Sequence, residues 1–172
     1  MYKRQVLQYG LNVMSPEVMR YGSYAKNFVR GINYMKQCFP GSSVLVMGIC
    51  DRSMQRDGEF ETMPSVPGMI AAQRSAAEQA GVAFWNTFDA MGGHNSMVRF
   101  VEKHWAAKDY THIGYTGGKY VADRLVDALI TGVDSMRREI ELRERIDRLL
   151  KYDSAAIDFR VPDTALPLQP SL

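Results

Sequence analysis

Long apolar runs and an excess of charge of either sign are both missing from this chain of 172 residues. No stretch approaches the roughly 18 apolar residues that a membrane-spanning helix needs, and no signal peptide opens the sequence. The 21 basic and 19 acidic side chains are interleaved and leave a formal net charge of +2. A nucleic-acid partner is therefore not expected, because such proteins carry a basic patch or stripe.

Cysteine and histidine are scarce, which bears on redox and metal chemistry. The two cysteines, Cys38 and Cys50, fit neither C-x-x-C spacing nor a disulfide framework, so they indicate buried thiols and leave the compartment open. Three histidines stand ten and eight residues apart, at His94, His104 and His112. That spacing matches no compact zinc motif, and the sequence predicts neither a metal ion nor a cofactor.

Two motifs that would name an activity are also absent. No G-x-S-x-G elbow, which exposes the serine of many hydrolases, occurs anywhere in the chain. The run Gly117-Gly118-Lys119 has Tyr120 where a Walker phosphate loop needs serine or threonine, and Ile113 where it needs its first glycine. A nucleotide-binding phosphate loop is therefore not predicted.

An acid and a base do stand together, in the segment Lys108-Asp109-Tyr110-Thr111-His112. An aspartate three residues before a histidine in a short loop can accept a hydrogen bond from the imidazole Nδ1–H. That bond fixes the tautomer and leaves Nε2 free to take a proton from a nucleophile. The alternative interpretation is a loop histidine that makes one structural hydrogen bond.

Strand and helix patterns alternate along the rest of the chain. Short apolar runs predict strands at 6–9, 44–49 and 82–85, and apolar periodicity predicts helices at 21–39, 67–80, 96–105 and 116–130. Residues 51–63 are polar and are expected to be irregular, and 89–96 are expected to form a loop. Strands separated by helices predict an α/β fold with a parallel sheet and right-handed crossovers.

The polar candidates follow strands in this scheme. Gly10 and Asn12 come after the first strand, and Asp109 and His112 come after the third. Functional groups of open α/β sheets gather at the carboxyl ends of the strands, so these residues are predicted to share one rim. Asn12 has an alternative interpretation as a helix cap or an Asx-turn ahead of Ser15.

Two stretches resemble sequence blocks of the SGNH (GDSL-type) hydrolases. Val6-Leu7-Gln8-Tyr9-Gly10-Leu11-Asn12 resembles their third block, and Asp109-Tyr110-Thr111-His112 resembles their fifth. Residues 91–97 and 112–118 are similar to stretches of bacterial members, and the resemblance spans residues 6–131. It implies a three-layer, flavodoxin-like fold with strand order 2-1-3-4-5. The three strands here would be the third, fourth and fifth, with flanking helices and with residues 6–9 at an edge.

The resemblance also implies a serine ester hydrolase. In it His112 would act as general base and then acid, Asp109 would orient His112, and the side-chain amide of Asn12 would donate to the oxyanion. The first block, with its serine, and the second, with its glycine, would precede residue 6. We therefore expect a fragment that is inactive by itself. Carbohydrate O-acetyl esters or other small esters are the expected substrates, and a non-catalytic, hydrolase-like binding or interaction module is the alternative.

Four segments organise the chain in this interpretation. Residues 1–5, Met-Tyr-Lys-Arg-Gln, resemble read-through at the end of a gene fragment and are expected to be non-native, the alternative being a native basic N-terminus. The hydrolase-like domain would cover 6–132, a charged amphipathic helix 133–152, and a proline-containing tail 153–172. Self-association through Val133 to Tyr152 is a possible use of that helix. A periplasmic or secreted location would follow if an upstream signal peptide exists.

Overall fold

A computed structural model of the protein describes residues 4–156. The strands are β1 (Arg4–Leu7), β2 (Ser43–Met47), β3 (Ser53–Arg56), β4 (Glu59–Thr62) and β5 (Ala83–Trp85). The α-helices are α1 (Gly22–Cys38), α2 (Val66–Ala80), α3 (Thr87–Met91), α4 (Ser96–Glu102) and α5 (Tyr115–Ala156), and a 3-10 turn covers Leu11–Val13.

Strands β1, β2 and β5 form a parallel sheet in that order, with β2 in the centre. Val6 pairs with Leu45, and Val46 pairs with Phe84. Because β2 alternates buried and half-buried side chains, Val44 and Val46 point to one face, where Ile32 of α1 and Ala77 of α2 pack on them. The α/β class with a parallel sheet and flanking helices is therefore confirmed, and among the described strands the first one lies at an edge of the sheet.

A second apolar cluster lies under the loops that follow β1 and β2. It joins buried side chains of the strand-to-helix connections to those of α2, namely Met14, Tyr21, Ile49, Met63, Val66, Met69, Ile70 and Ala72. A third cluster packs α4 and the start of α5 around Met97, Phe100 and Val121, with Trp85 of β5 against it. These two clusters support the loops that carry the polar candidates.

Several element bounds differ from the sequence predictions. The first strand lies two residues earlier than expected, and Arg4 and Gln5, which were set aside as non-native, pair with Ser43 and Val44. Backbone pairing needs no particular side chain, so this pairing does not test their origin. Residues 89–91 belong to α3, and the helix predicted over 96–105 ends at Glu102.

The segment 51–63 is not irregular, as the sequence suggested, because it contains the antiparallel hairpin of β3 and β4. Asp57 and Gly58 connect the strands, and both have positive φ, 51° and 90°. An Asp-Gly pair is the preferred sequence for such a tight turn. The prediction was wrong because strands of four residues with exposed polar side chains carry little apolar alternation.

The two helices predicted at 116–130 and 133–152 are one helix in the structure, α5. Gly132 lies inside it without a break; glycine costs a helix interior only about 1 kcal/mol relative to alanine. The chain divides into two compact units between Asp127 and Ala128. Asp153 to Ala156 continue α5, and the rest of the predicted tail lies outside the described residues. No helix within 4–156 is both long and apolar enough to span a membrane.

Candidate functional site

The loop between α4 and α5 closes on itself and thereby fixes the position of His112. The N–H of Ala107 donates to the carbonyl of His112 at 2.8 Å, and the N–H of Gly114 donates to the carbonyl of Trp105 at 2.7 Å. Ala106 and Ile113 form an antiparallel bridge between these two bonds. The segment that the sequence singled out is thus a short, hydrogen-bonded turn with Asp109 and Tyr110 at its tip.

Both carboxylate oxygens of Asp109 accept hydrogen bonds from residues of this turn. Oδ2 lies 2.7 Å from Nδ1 of His112, while Oδ1 accepts the N–H groups of Thr111 at 2.9 Å and of His112 at 3.0 Å. The hydrogen bond from the His112 side chain, followed by those from the two backbone N–H groups, lowers the pKa of Asp109 to about 2. An ionised Asp109 can only accept a hydrogen bond, so Nδ1 carries the proton and Nε2 of a neutral imidazole is the basic nitrogen.

Asn12 stands in the 3-10 turn that follows β1. The turn begins after Gly10, which has φ of 113°, and a Cβ at Gly10 would lie 3.0 Å from both Gln73 Nε2 and the Tyr24 hydroxyl. Only glycine meets both the conformational and the steric requirement. Arg52 donates from Nη1 to the carbonyl of Leu11 at 3.2 Å, which ties the turn to the segment after β2.

Asn12 and His112 line the same cavity, which has a volume of about 700 Å³. The lining residues come from the segments that follow β1 and β2, from α1, and from the turn between Ala106 and Ile113, which we call the acid-base turn. They are Gln8, Tyr9, Gly10, Leu11, Asn12, Val13, Tyr24, Ile49, Cys50, Thr111, His112 and Ile113. The structure therefore brings together, at one rim, the three residues predicted from the sequence, with Asp109 holding His112 in place.

No serine is among the residues that line this cavity in the described part of the chain. The hydroxyl of Thr111 donates to the carbonyl of Asp109 at 3.1 Å. Cys50 is only 9% exposed, and burial together with the neighbouring Asp51 raises the pKa of its thiol to about 11. A thiol with that pKa is protonated at neutral pH and is a poor nucleophile. The cavity thus contains a base and an amide donor, and neither Thr111 nor Cys50 is an activated nucleophile.

Sequence reasoning missed the β3–β4 hairpin, which supports the turn that carries His112. Ser53 donates its N–H to the carbonyl of Tyr110 at 3.0 Å, and the Phe60 and Tyr110 rings stack with centroids 3.6 Å apart at 6°. Tyr110 adopts φ of 54°, which is uncommon for an aromatic residue and is held by these contacts. The Asp-Gly pair at residues 57 and 58 was the signal that could have revealed this hairpin.

A buried carboxylate holds the next loop against the same hairpin. Asp51 is fully buried, and its Oδ2 accepts the N–H of Met97 at 2.8 Å and the hydroxyl of Thr62 at 3.1 Å. The N–H of Asn95 donates to the Thr62 hydroxyl at 2.7 Å, and its side-chain oxygen accepts the N–H of Thr62 at 2.9 Å. The Gly92-Gly93-His94-Asn95 loop is therefore a structural connection, and neither His94 nor His104 lines the cavity. Among residues 4–156, no three His, Cys, Asp or Glu side chains gather to hold a metal ion.

This chain is similar to a known protein in its fold but matches none in its sequence. No sequence model of a protein family matches this chain, and no curated protein sequence matches it. The solved structure of a peptidoglycan O-acetylesterase is similar, with a TM-score of 0.68 and 24% sequence identity over 77% of this chain. The matched part is 38% of that enzyme's chain. At this level of identity the likeness concerns the fold alone: this chain shares with that enzyme an α/β fold with a parallel sheet and flanking helices, over 77% of its own length.

Proposed function

We propose that this chain is the base-bearing part of an SGNH-type ester hydrolase. The observation that carries the proposal is one cavity lined by both His112, with Asp109 on its Nδ1, and the amide-bearing Asn12. The fold of the similar esterase structure and the two resembling sequence blocks support it.

In this proposal Nε2 of His112 removes the proton from a serine hydroxyl as the hydroxyl attacks the ester carbonyl. A serine needs such a base because its hydroxyl is almost wholly protonated at neutral pH. Asp109, ionised down to a pH of about 2, keeps Nδ1 protonated and stabilises the imidazolium that forms. The imidazolium then protonates the leaving alcohol, and His112 next activates a water molecule to release the acyl group.

Asn12 would stabilise the negative charge that develops on the carbonyl oxygen. A side-chain amide donates hydrogen bonds at every pH at which the protein folds, so its contribution does not depend on a titration. One such donor is typically worth about 3 kcal/mol of barrier. The 3-10 turn that carries Asn12 is anchored by Arg52 and lies at the cavity that His112 also lines.

The serine would come from a polypeptide segment outside this sequence. Two observations support this part of the proposal. No serine of the described chain lines the cavity, and β1 pairs on one side only among the described strands, with Val6 55% exposed. A further parallel strand on β1 would cover Val6 and bring its own carboxyl end to the rim where His112 lies.

The proposed substrate is a small acyl ester of a carbohydrate. The enzyme of similar fold is a peptidoglycan O-acetylesterase, which is the reason for choosing an O-acetyl group. Leu11, Val13 and Ile113 give the cavity apolar walls beside Asn12, which suit an acyl methyl group.

The test starts from the gene. We expect the reading frame to continue upstream of Val6 and to encode a Gly-Asp-Ser-like block, and the full-length product to hydrolyse p-nitrophenyl acetate and O-acetylated peptidoglycan. His112→Asn should lower kcat by about 10⁴-fold or more, and Asn12→Ala by about 10²- to 10³-fold. His104→Asn is the matched control, since His104 is exposed and lies outside the cavity lining.

A reading frame that contains no serine block, or hydrolysis that survives His112→Asn, would contradict the proposal. Retention of O-acetylated peptidoglycan without any hydrolysis would favour the alternative function, a non-catalytic binding module. The 172-residue chain alone should show no appreciable turnover, because a base and an oxyanion donor without a nucleophile leave only weak catalysis.

A further inference from the structure

Gln73 is a buried polar side chain in the otherwise apolar face of α2. It is 0% exposed and lies among Met69, Ile70, Ala76 and Ala77, which are also buried. An amide buried without hydrogen-bond partners is strongly unfavourable, so its contacts indicate why glutamine occurs here.

The side chain of Gln73 joins the ends of two strands. Its Oε1 accepts the N–H of Ile49 at 3.0 Å, just beyond β2, and its Nε2 donates to the carbonyl of Tyr9 at 2.5 Å, just beyond β1. Nε2 also lies 3.4 Å from the hydroxyl of Tyr24. Both backbone groups lie past the residues paired in the parallel sheet, and Gln73 supplies the partners that the sheet no longer gives them.

All three partners of Gln73 line the cavity that contains Asn12 and His112. Tyr9 directly precedes Gly10, whose Cα approaches Gln73 so closely that a Cβ there would lie 3.0 Å from Nε2. Asn12 follows two residues later in the same turn. The direction in which the Asn12 turn leaves the sheet is therefore set by a side chain that does not itself line the cavity.

We propose that Gln73 is a positioning residue for Asn12: it fixes the Tyr9–Gly10 peptide segment against β2 and thereby the place of the Asn12 amide at the cavity. Replacing Gln73 by an apolar side chain of similar length would release the Tyr9 carbonyl and the Ile49 N–H together. The turn that carries Asn12 would then become mobile while α2 and the sheet keep their packing. This inference rests on the proposed function only for its consequence in catalysis.

The direct test is backbone ¹⁵N relaxation of the 172-residue chain with Gln73→Met. We expect order parameters at residues 10–13 to fall from the roughly 0.85 of rigid backbone to below about 0.6, with α2 unchanged. Gln79→Met is the matched control on the same helix, since Gln79 is exposed and its amide donates to the hydroxyl of Ser75 on the same helix. A folded Gln73→Met variant in which residues 10–13 stay rigid would overturn the proposal.

Gln73→Glu keeps the test decisive if the methionine variant does not fold. A buried glutamic acid has a raised pKa, and its neutral form can again donate to the Tyr9 carbonyl and accept from the Ile49 N–H. The titratable side chain in contact with position 73 is Tyr24, whose hydroxyl is neutral over this range. Residues 10–13 should therefore be rigid at pH 5 and mobile at pH 8. Rigidity at both values would overturn the proposal.

The consequence for catalysis is tested in the full-length product by a double-substitution cycle. Gln73→Met should lower kcat about tenfold with KM nearly unchanged, since a displaced oxyanion donor is felt in the transition state. In an Asn12→Ala background the same substitution should cost nothing further, whereas a general loss of structure would lower kcat equally in both backgrounds. If Asn12→Ala leaves kcat unaltered, the proposed function fails, while the relaxation experiment still decides the role of Gln73.

Discussion

Asp109 is bonded entirely within its own turn, and this gives the acid-base pair its electrostatic character. Three hydrogen bonds reach the carboxylate, from the His112 ring and from the N–H groups of Thr111 and His112. All three donors favour the ionised form of the carboxyl group, which is why its pKa is depressed. The side chains of His112 and Asp109 remain 72% and 49% exposed, so water screens the attraction between them.

The depressed pKa of Asp109 predicts how the turn responds to acid. We expect a ¹³C-detected titration of the Asp109 carboxyl to have its midpoint near 2, well below the ordinary value of 3.8. A carboxyl whose pKa is lower in the folded than in the unfolded chain stabilises the fold above the unfolded value. That stabilisation is lost as the pH falls through the folded value, from about 3.8 to about 2. Asp89, an exposed acid with a different set of contacts, serves as the comparison, and a midpoint for Asp109 near 3.8 would contradict the hydrogen bonding described here.

The spacing of Asp109 and His112 was enough to predict their hydrogen bond from the sequence, because both residues lie in one short loop. The roles of Gln73 and Phe60 were not predictable in the same way. Gln73 contacts Tyr9 from 64 positions away, and Phe60 stacks on Tyr110 across 50 positions. Such contacts form only when the chain folds, and the local sequence pattern around either residue does not predict them.

At the scale of elements, the β3–β4 hairpin is the support that the acid-base turn depends on. Its strands are only four residues long, and a two-stranded hairpin of this length is marginal without tertiary contacts. The Phe60–Tyr110 stack and the Ser53–Tyr110 hydrogen bond provide such contacts. Hairpin and turn therefore stabilise each other, and loosening the first should loosen the second.

Gly58→Ala tests this dependence at the tip of the hairpin. The substitution is expected to destabilise the first unit by about 1 kcal/mol, because Gly58 has φ of 90° although a Cβ there would meet no other atom. Chemical denaturation followed by the fluorescence of Trp85 and Trp105 is the measurement.

Gly132→Ala is the matched contrast, since a Cβ at Gly132 also meets no other atom but the residue lies inside α5. Alanine there should increase helicity and stabilise the helix by up to about 1 kcal/mol. Equal effects of the two substitutions would show that the turn conformation at Gly58 does not matter.

Apolar periodicity predicted the helices well and their ends less well. The first half of α5 and α2 were placed to within one or two residues, because both bury a regular stripe against the sheet or the third cluster. The continuity of α5 through Gly132 was missed, since glycine and the change to charged residues after it resemble an end. Apolar periodicity reflects which face of a helix is buried. Residues 126–151 of α5 are exposed, so this part of the helix has no buried face for the periodicity to reveal.

For the molecule as a whole, the order of the elements predicted a parallel sheet with connecting helices, whereas the edge position of the first strand was predicted from the resemblance. The exposed edge of β1 is a surface that favours unwanted strand pairing. Val6 of β1 is 55% exposed, and Tyr9 and Val13 in the segment that follows β1 are 62% and 59% exposed. A row of free backbone groups next to exposed apolar side chains favours association with other chains.

We therefore expect the 172-residue chain to associate as its concentration rises, and Val6→Lys to reduce that association. Size-exclusion chromatography with light scattering measures it. Lysine on an edge strand opposes strand pairing because pairing would bury its charge. Val133→Lys is the comparison within α5, where Val133 is 51% exposed. Association that is lost in Val133→Lys and kept in Val6→Lys would assign the contact to the α5 surface instead, as the self-association predicted for Val133 to Tyr152 requires.

Asp109 and His112 are only three residues apart, which affects what happens to the pair when gene segments recombine. In a protein whose base depends on a distant acid, any recombination between the two separates them and leaves the base without its partner. Here a stretch of DNA encoding a single loop carries both, and closing so short a loop costs little conformational entropy in any new host. Gene rearrangements that cut between the strands of this fold would pass on the Asp109–His112 pair whole.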